Sequence, residues 1–154
     1  MKSCLFVCLG NICRSPAAEG VLRAMAEKEG VEIEVASCGL GDWHVGQLPD
    51  KRMRDAARRR GYVLASRAQG IQERFFDEYE TILAADHAVM IELLKIAKTP
   101  AEKAKVQLMT KFSQTYPGQE VPDPYYGGTD EFEYVMDMVE DICEGILFAS
   151  TRKL

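Results

Sequence analysis

The sequence predicts an α/β fold: a single domain with a four-stranded parallel sheet and helices on both faces, doubly wound. Three observations lead there. Short apolar, β-prone runs alternate with helical patterns from end to end, the mark of a parallel sheet built from strand–helix units. The first run, Cys4–Cys8, is too short and too β-prone for a helix core and suits a strand buried on both faces. The 154 residues make one domain's worth of chain, without internal repeats, low-complexity stretches or linkers, so the expectation is one domain over 1–154.

Strands are expected near Cys4–Cys8, Ile33–Ser37, Thr81–Ala84 and Lys105–Leu108. Ser15 reads as an N-cap and Pro16 as a first helical residue, and Ala18, Val21, Leu22 and Met25 recur at helical spacing, so a helix is expected over Ala17–Glu29. Further helices are expected over Asp50–Arg60 and His87–Ala97, with a short one around Gln72–Asp77. The last, Asp130–Ala149, carries Phe132, Val135, Met136, Val139, Ile142, Cys143 and Ile146 on one stripe and acidic residues in its first turn, which makes Cys143 a core residue. Between Met109 and Thr129 lies a stretch without clear periodicity, long enough to be a functional loop.

The chemistry is concentrated where the first strand ends. Cys8 closes the apolar run, and Leu9-Gly10-Asn11-Ile12-Cys13-Arg14 leads into the first helix. Such a loop presents backbone N–H groups and the positive end of a helix dipole to an anion, and with Arg14 that field favours thiolate at Cys8. Gly10 and Asn11 suit a loop that needs positive φ. Arg14 offers a planar fork able to grip two phosphoryl oxygens. Taken singly, Cys8 fits a buried structural thiol and Arg14 a surface charge; together they form an oxyanion cradle with a nucleophile at its floor. In a doubly wound sheet this strand end is where ligands bind.

Composition narrows the classes. Hydrophobic content of 47%, charged content of 28% and a mean hydropathy of -0.18 describe a soluble globular chain, with no apolar run of transmembrane length and no cleavable signal, so a cytoplasmic location and no membrane partner are expected. The five cysteines are an odd number without paired zinc spacings and read as reduced thiols. His44 and His87 are not spaced as metal ligands; neither metal nor cofactor is expected. A net charge of -5 and a pI near 5.1 disfavour nucleic-acid binding. The basic cluster Lys51, Arg52, Arg54, Arg58, Arg59 and Arg60 reads as a solvated helix face.

Cys8-Leu9-Gly10-Asn11-Ile12-Cys13-Arg14-Ser15 resembles the Cys-x5-Arg-Ser signature of the low-molecular-weight protein tyrosine phosphatases, at the N-terminal position where that family has it. Asp123-Pro124-Tyr125-Tyr126-Gly127 resembles the family's general-acid segment, and Ser37, Trp43-His44-Val45-Gly46, Pro49-Asp50 and Ile82-Leu83-Ala84-Ala85-Asp86 follow its order. The resemblance covers essentially the whole chain. It implies hydrolysis of phosphotyrosine, and of small aryl phosphates, through a phosphocysteine on Cys8. Arg14 and the loop Leu9, Gly10, Asn11, Ile12, Cys13 and Ser15 would hold the phosphate, and Asp123 would serve as general acid and then base. It further implies that Trp43, His44 and Tyr125 wall an aryl cleft, with Leu9 at the entrance. Asn11, Ser15 and Ser37 would brace the loop, and Asp86 is a structural carboxylate nearby. Cys13 could shield Cys8 by a disulfide under oxidation. The expected partner is a phosphotyrosine protein and the product inorganic phosphate. A monomer is the default, with weak self-association allowed by the exposed acid-loop aromatics.

Asp123 should be hydrogen-bonded or partly buried to serve as an acid. The chain departs from the family pattern at Ser66, where many members have histidine, and at Gln69, near a frequent arginine. Three alternatives share parts of this signature. An arsenate reductase would need downstream redox cysteines, which are missing between Gly39 and Ile142. A protein arginine phosphatase typically has threonine where this chain has Ile12. A non-catalytic redox or phosphoprotein-binding module would not need Cys8, Arg14 and Asp123 all intact.

Overall fold

The computed structural model describes residues 1–151. Four strands, β1 (Ser3–Cys8), β2 (Glu34–Gly39), β3 (Thr81–Ala84) and β4 (Val106–Leu108), form one parallel sheet in the order β2-β1-β3-β4. Strand β1 is central and fully buried. Among the described residues, six helices surround the sheet: α1 (Arg14–Glu29), α2 (Lys51–Arg59), α3 (Phe75–Glu78), α4 (His87–Ile96), α5 (Pro100–Ala104) and α6 (Thr129–Thr151).

Alternation along β1 divides the core. Cys4, Phe6 and Cys8 pack with α1, α2 and α6 on one face, through Leu22, Met53, Val139 and Ile142. Leu5 and Val7 pack on the other with Phe75 and Phe76 of α3 and Val89 and Leu93 of α4. The expected doubly wound sheet is thus present. Strand order reverses beside β1, so its C-terminal end, where Cys8 lies, is the crevice of the fold.

Several boundaries differ from expectation, each for a local reason. Helix α1 begins at Arg14, and its N-cap is Cys13, without a side-chain cap bond. Ser15 is therefore inside the helix and not its cap; its hydroxyl is taken up by the site described below. Helix α5 was not expected, although Thr99-Pro100-Ala101-Glu102 has the sequence of a capping box: Thr99 accepts from Glu102 N, and Glu102 reaches one residue further back to accept from Lys98 N. The Met109–Thr129 stretch opens with a 3-10 turn over Met109–Phe112. The basic cluster is not simply solvated, because the facing stripe of α6 is acidic: Arg60 bridges Glu133, Asp137 and Glu140, and Arg59 reaches Glu133. Cys143 is buried, as expected. Among the described residues, no helix is long and apolar enough to cross a membrane.

Candidate active site

The segment after β1 folds as a tight loop ending on the first turn of α1. Among the described non-glycine residues, Asn11 alone has positive φ, 56°. Gly10 does not share that conformation; what it supplies is space, since a Cβ there would stand 3.1 Å from the His44 ring. The end of β2 must also come close, and a Cβ on Gly39 would meet the loop backbone at 3.0 Å. The loop's carbonyls are occupied from outside: Cys8 O, Leu9 O and Ile12 O accept from Leu40 N, Gly41 N and Asp50 N. By contrast, among the described residues, none of the amide N–H groups from Leu9 to Arg14 donates within the protein. Those donors are left for an anion at a helix N-terminus.

Behind the loop runs a buried hydrogen-bond chain. Asn11 Nδ2 donates to Ser15 Oγ at 2.8 Å and to Ser37 Oγ at 2.9 Å, while its Oδ1 accepts from Gln69 N. Ser15 Oγ lies 2.9 Å from Cys8 Sγ and 3.4 Å from Cys38 O. Because Ser15 Oγ already accepts from Asn11, its own hydrogen is free to point at the nearer Sγ and stabilise a thiolate there. Ser37 donates to Glu19, a buried carboxylate that also accepts from Ser66 and pairs with Arg23 at 2.8 Å. Both departures from the family pattern thus still take part: Ser66 bonds Glu19, and Gln69 additionally bonds Ser37 O through its side chain. Glu19 was missed from sequence; the available signal was a carboxylate one helical turn after Ser15, on the same face.

Arg14 is buried. Its Nη1 donates to Asp86 Oδ2 at 2.7 Å and to Val121 O at 3.0 Å, and its Nη2 lies 3.9 Å from Asp123 Oδ2. Burial alone would lower the guanidinium's pKa, but Cys8, Asp86 and Asp123 outweigh it and hold the value above the ordinary one. Asp123 accepts a hydrogen bond from Tyr125 N, but at 45% exposure its side chain is exposed rather than buried. Burial, then the negative charges of Asp50, Cys8 and Asp123, push the Cys13 thiol's pKa up. All five cysteines are free.

These groups meet in a cleft of about 240 Å³. Cys8, Gly10, Ile12, Cys13 and Arg14 form its floor, and the exposed Leu9 joins Trp43, His44, Asp123, Tyr125 and Tyr126 around it. Of the expected phosphate-site residues, Asn11 and Ser15 do not line it. Their side chains point back into the hydrogen-bond chain and act on the loop from behind. Tyr126 was not expected as a wall residue, although it adjoins Tyr125 in the motif and the two rings meet edge to face at 5.0 Å. Trp43 lies so close over Gly41 that a Cβ there would stand 1.9 Å from its ring.

A thiol, a buried guanidinium and a carboxylate thus face one cleft, beside loop amides left free, at the crevice of a doubly wound sheet. The family model described as low molecular weight phosphotyrosine protein phosphatase matches residues 3–154, and the chain belongs to that family. It is accordingly a protein-tyrosine phosphatase, a hydrolase acting on phosphoproteins. A low molecular weight protein-tyrosine-phosphatase of Streptomyces coelicolor is 40% identical over 94% of this chain and 90% of its own. The low molecular weight phosphotyrosine protein phosphatase of Sus scrofa is 34% identical over 95% and 94%. In three dimensions the chain is similar to a protein tyrosine phosphatase from Entamoeba histolytica, with a TM-score of 0.91 and 38% identity over 96% of each chain.

Proposed function

We propose that Cys8 is the nucleophile, Arg14 and the loop amides the phosphate clamp, and Asp123 the general acid and base of phosphotyrosine hydrolysis. One observation carries this reading: Arg14 and Asp123 stand 3.9 Å apart in the cleft whose floor holds Cys8. The thiolate attacks phosphorus, an S–P bond forms, and the ester P–O bond breaks as Asp123 gives its proton to the phenolate oxygen. Charge on the equatorial oxygens is met by the loop amides and Arg14, donors already oriented before substrate arrives. Water then attacks phosphorus as Asp123 takes its proton, the S–P bond breaks to return the Cys8 thiolate, and inorganic phosphate leaves.

A flat aryl group fits between Trp43, His44 and Tyr125, and Leu9 flanks the entrance. Ile12 brings an apolar side chain to the floor, which favours phosphotyrosine over phosphoarginine. Free thiols at all five cysteines support a reducing, cytoplasmic location. We infer a single catalytic domain over 1–154 that works as a monomer without metal or cofactor. The test is hydrolysis of p-nitrophenyl phosphate in the presence of chelator. Activity is expected to persist in the wild type, to vanish in Cys8→Ser and to fall about 100-fold or more in Asp123→Ala; full activity in Cys8→Ser would overturn the reading. Phosphotyrosine and phosphoarginine peptides assayed side by side distinguish the two substrate classes.

A further inference from the structure

Three residues before Asp123, Glu120 sends its carboxylate to the first turn of α4. Its Oε2 accepts a hydrogen bond from His87 N at 2.7 Å and lies 3.2 Å from His87 Nδ1. The same helix end holds Arg14, through Asp86, whose Oδ2 takes the guanidinium while its Oδ1 accepts from Val89 N. One helix terminus thus touches both the phosphate clamp and the segment that carries the acid.

We infer that Glu120 is a positioning residue for the general acid, clamping the Asp123 segment to the N-terminus of α4; the inference rests on the reading of Asp123 given above. Asp123 has little to hold it. Its carboxylate is nearly half exposed and meets Tyr125 N, its near neighbour in sequence, and at longer range Arg14. The backbone of the segment is pinned at Val121, whose N donates to Ala85 O and whose O accepts from Arg14, and further back at Gln119, whose O accepts from Thr110 Oγ1. Among the described residues, these bonds all lie at or before Val121, two residues short of Asp123. Glu120 adds a side-chain anchor on α4, and Pro122, with its fixed φ, transmits the restraint to Asp123.

The chemistry of the clamp suits this work. A helix N-terminus presents unpaired N–H groups and the positive end of the dipole, both favourable to a carboxylate. The backbone donor is already ordered by α4, so only the Glu120 side chain gives up freedom. An exposed pair of this kind adds little to global stability. Its effect falls on geometry, where a displacement on the order of 1 Å can cost about 100-fold in rate.

The experiment compares kcat/KM for phenyl phosphate, whose leaving group needs a proton, with that for p-nitrophenyl phosphate, whose leaving group needs it less. The variants are Glu120→Ala, Glu120→Gln and His87→Ala, with Asp123→Asn as reference. Glu120→Ala is expected to lower the phenyl phosphate value about fivefold and the p-nitrophenyl phosphate value less than about twofold, because only proton delivery is disturbed. Glu120→Gln keeps an oxygen acceptor for His87 N and is expected to recover most of the loss; His87→Ala keeps the backbone donor and stays near wild type. Equal losses on both substrates, or none, in Glu120→Ala overturn the clamp while leaving Asp123 as the acid, provided Asp123→Asn shows the leaving-group dependence. If Asp123→Asn shows no such dependence, the acid assignment and the clamp fall together.

Discussion

The floor of the cleft and its walls are held by different means. Floor residues Cys8, Cys13 and Arg14 are buried, and their loop is braced from behind by Asn11, Ser15, Ser37 and Glu19, each polar group partnered. Wall residues Trp43, Tyr125 and Tyr126 are 65%, 38% and 96% exposed and stand on loops. The floor must hold donors where phosphoryl charge will appear, and mobility there would cost reorganisation at the moment of reaction. The walls need only present apolar area to an incoming aryl group, and exposed aromatics do that without a supporting network.

The largest effect should come from the floor's one buried cation. Arg14→Lys keeps the charge but loses the planar fork and its shared bonds to Asp86 and Val121, and kcat/KM for p-nitrophenyl phosphate is expected to fall about 100-fold or more. A loss under tenfold would mean that the loop amides carry the phosphate without it. Next is Asn11→Ala, which removes the residue best able to sit at φ 56° and strips partners from Ser15, Ser37 and Gln69 N. Denaturant unfolding should show a loss of about 1–3 kcal/mol, with kcat falling alongside. A change in KM alone would show that the bracing is not catalytic.

On the wall, Trp43→Ala should raise KM for aryl phosphates about three- to tenfold while leaving stability within about 0.5 kcal/mol of wild type, since an exposed side chain holds little of the fold together. A matching loss on an alkyl phosphate would show that Trp43 supports the floor. The smallest effect concerns the join between the two regions. Asp50 caps α2, donates its N–H to Ile12 O and has its carboxyl pKa lowered, chiefly by hydrogen bonding to Arg52. A depressed folded-state pKa contributes stability that is fully present above the unfolded value, about 3.9, and is lost as pH falls through the folded value. Asp50→Asn should therefore flatten the acid side of the stability–pH curve and shift the midpoint near neutrality only slightly, as thermal unfolding across pH would register. An unchanged acid limb would assign that limb to other carboxylates.

Legibility from sequence followed the range of the interactions. The four strands, the four long helices and the Cys8–Arg14 loop could be read because apolar periodicity and a strand–loop–helix junction are local signals. The start of α1 was misplaced because Ser15, a good capping residue by type, is drawn instead into a bond with Cys8 and Asn11. The C-terminal end of the basic cluster was misread because the partners of Arg59 and Arg60 lie on α6, more than 70 residues away, as in the Arg60 to Glu140 bond with a separation of 80.

What the sequence by itself determined is the set of reactive groups: a thiol at a strand end, a guanidinium six residues on and an Asp-Pro segment before the last helix, since the groups proposed as nucleophile, clamp and acid are recognised by residue type and local backbone. Only the tertiary structure decided how they are held. Glu19 behind the loop, Tyr126 in the wall, and Glu120 on the end of α4 act across the fold, and a contact between distant segments leaves no periodic trace in either one.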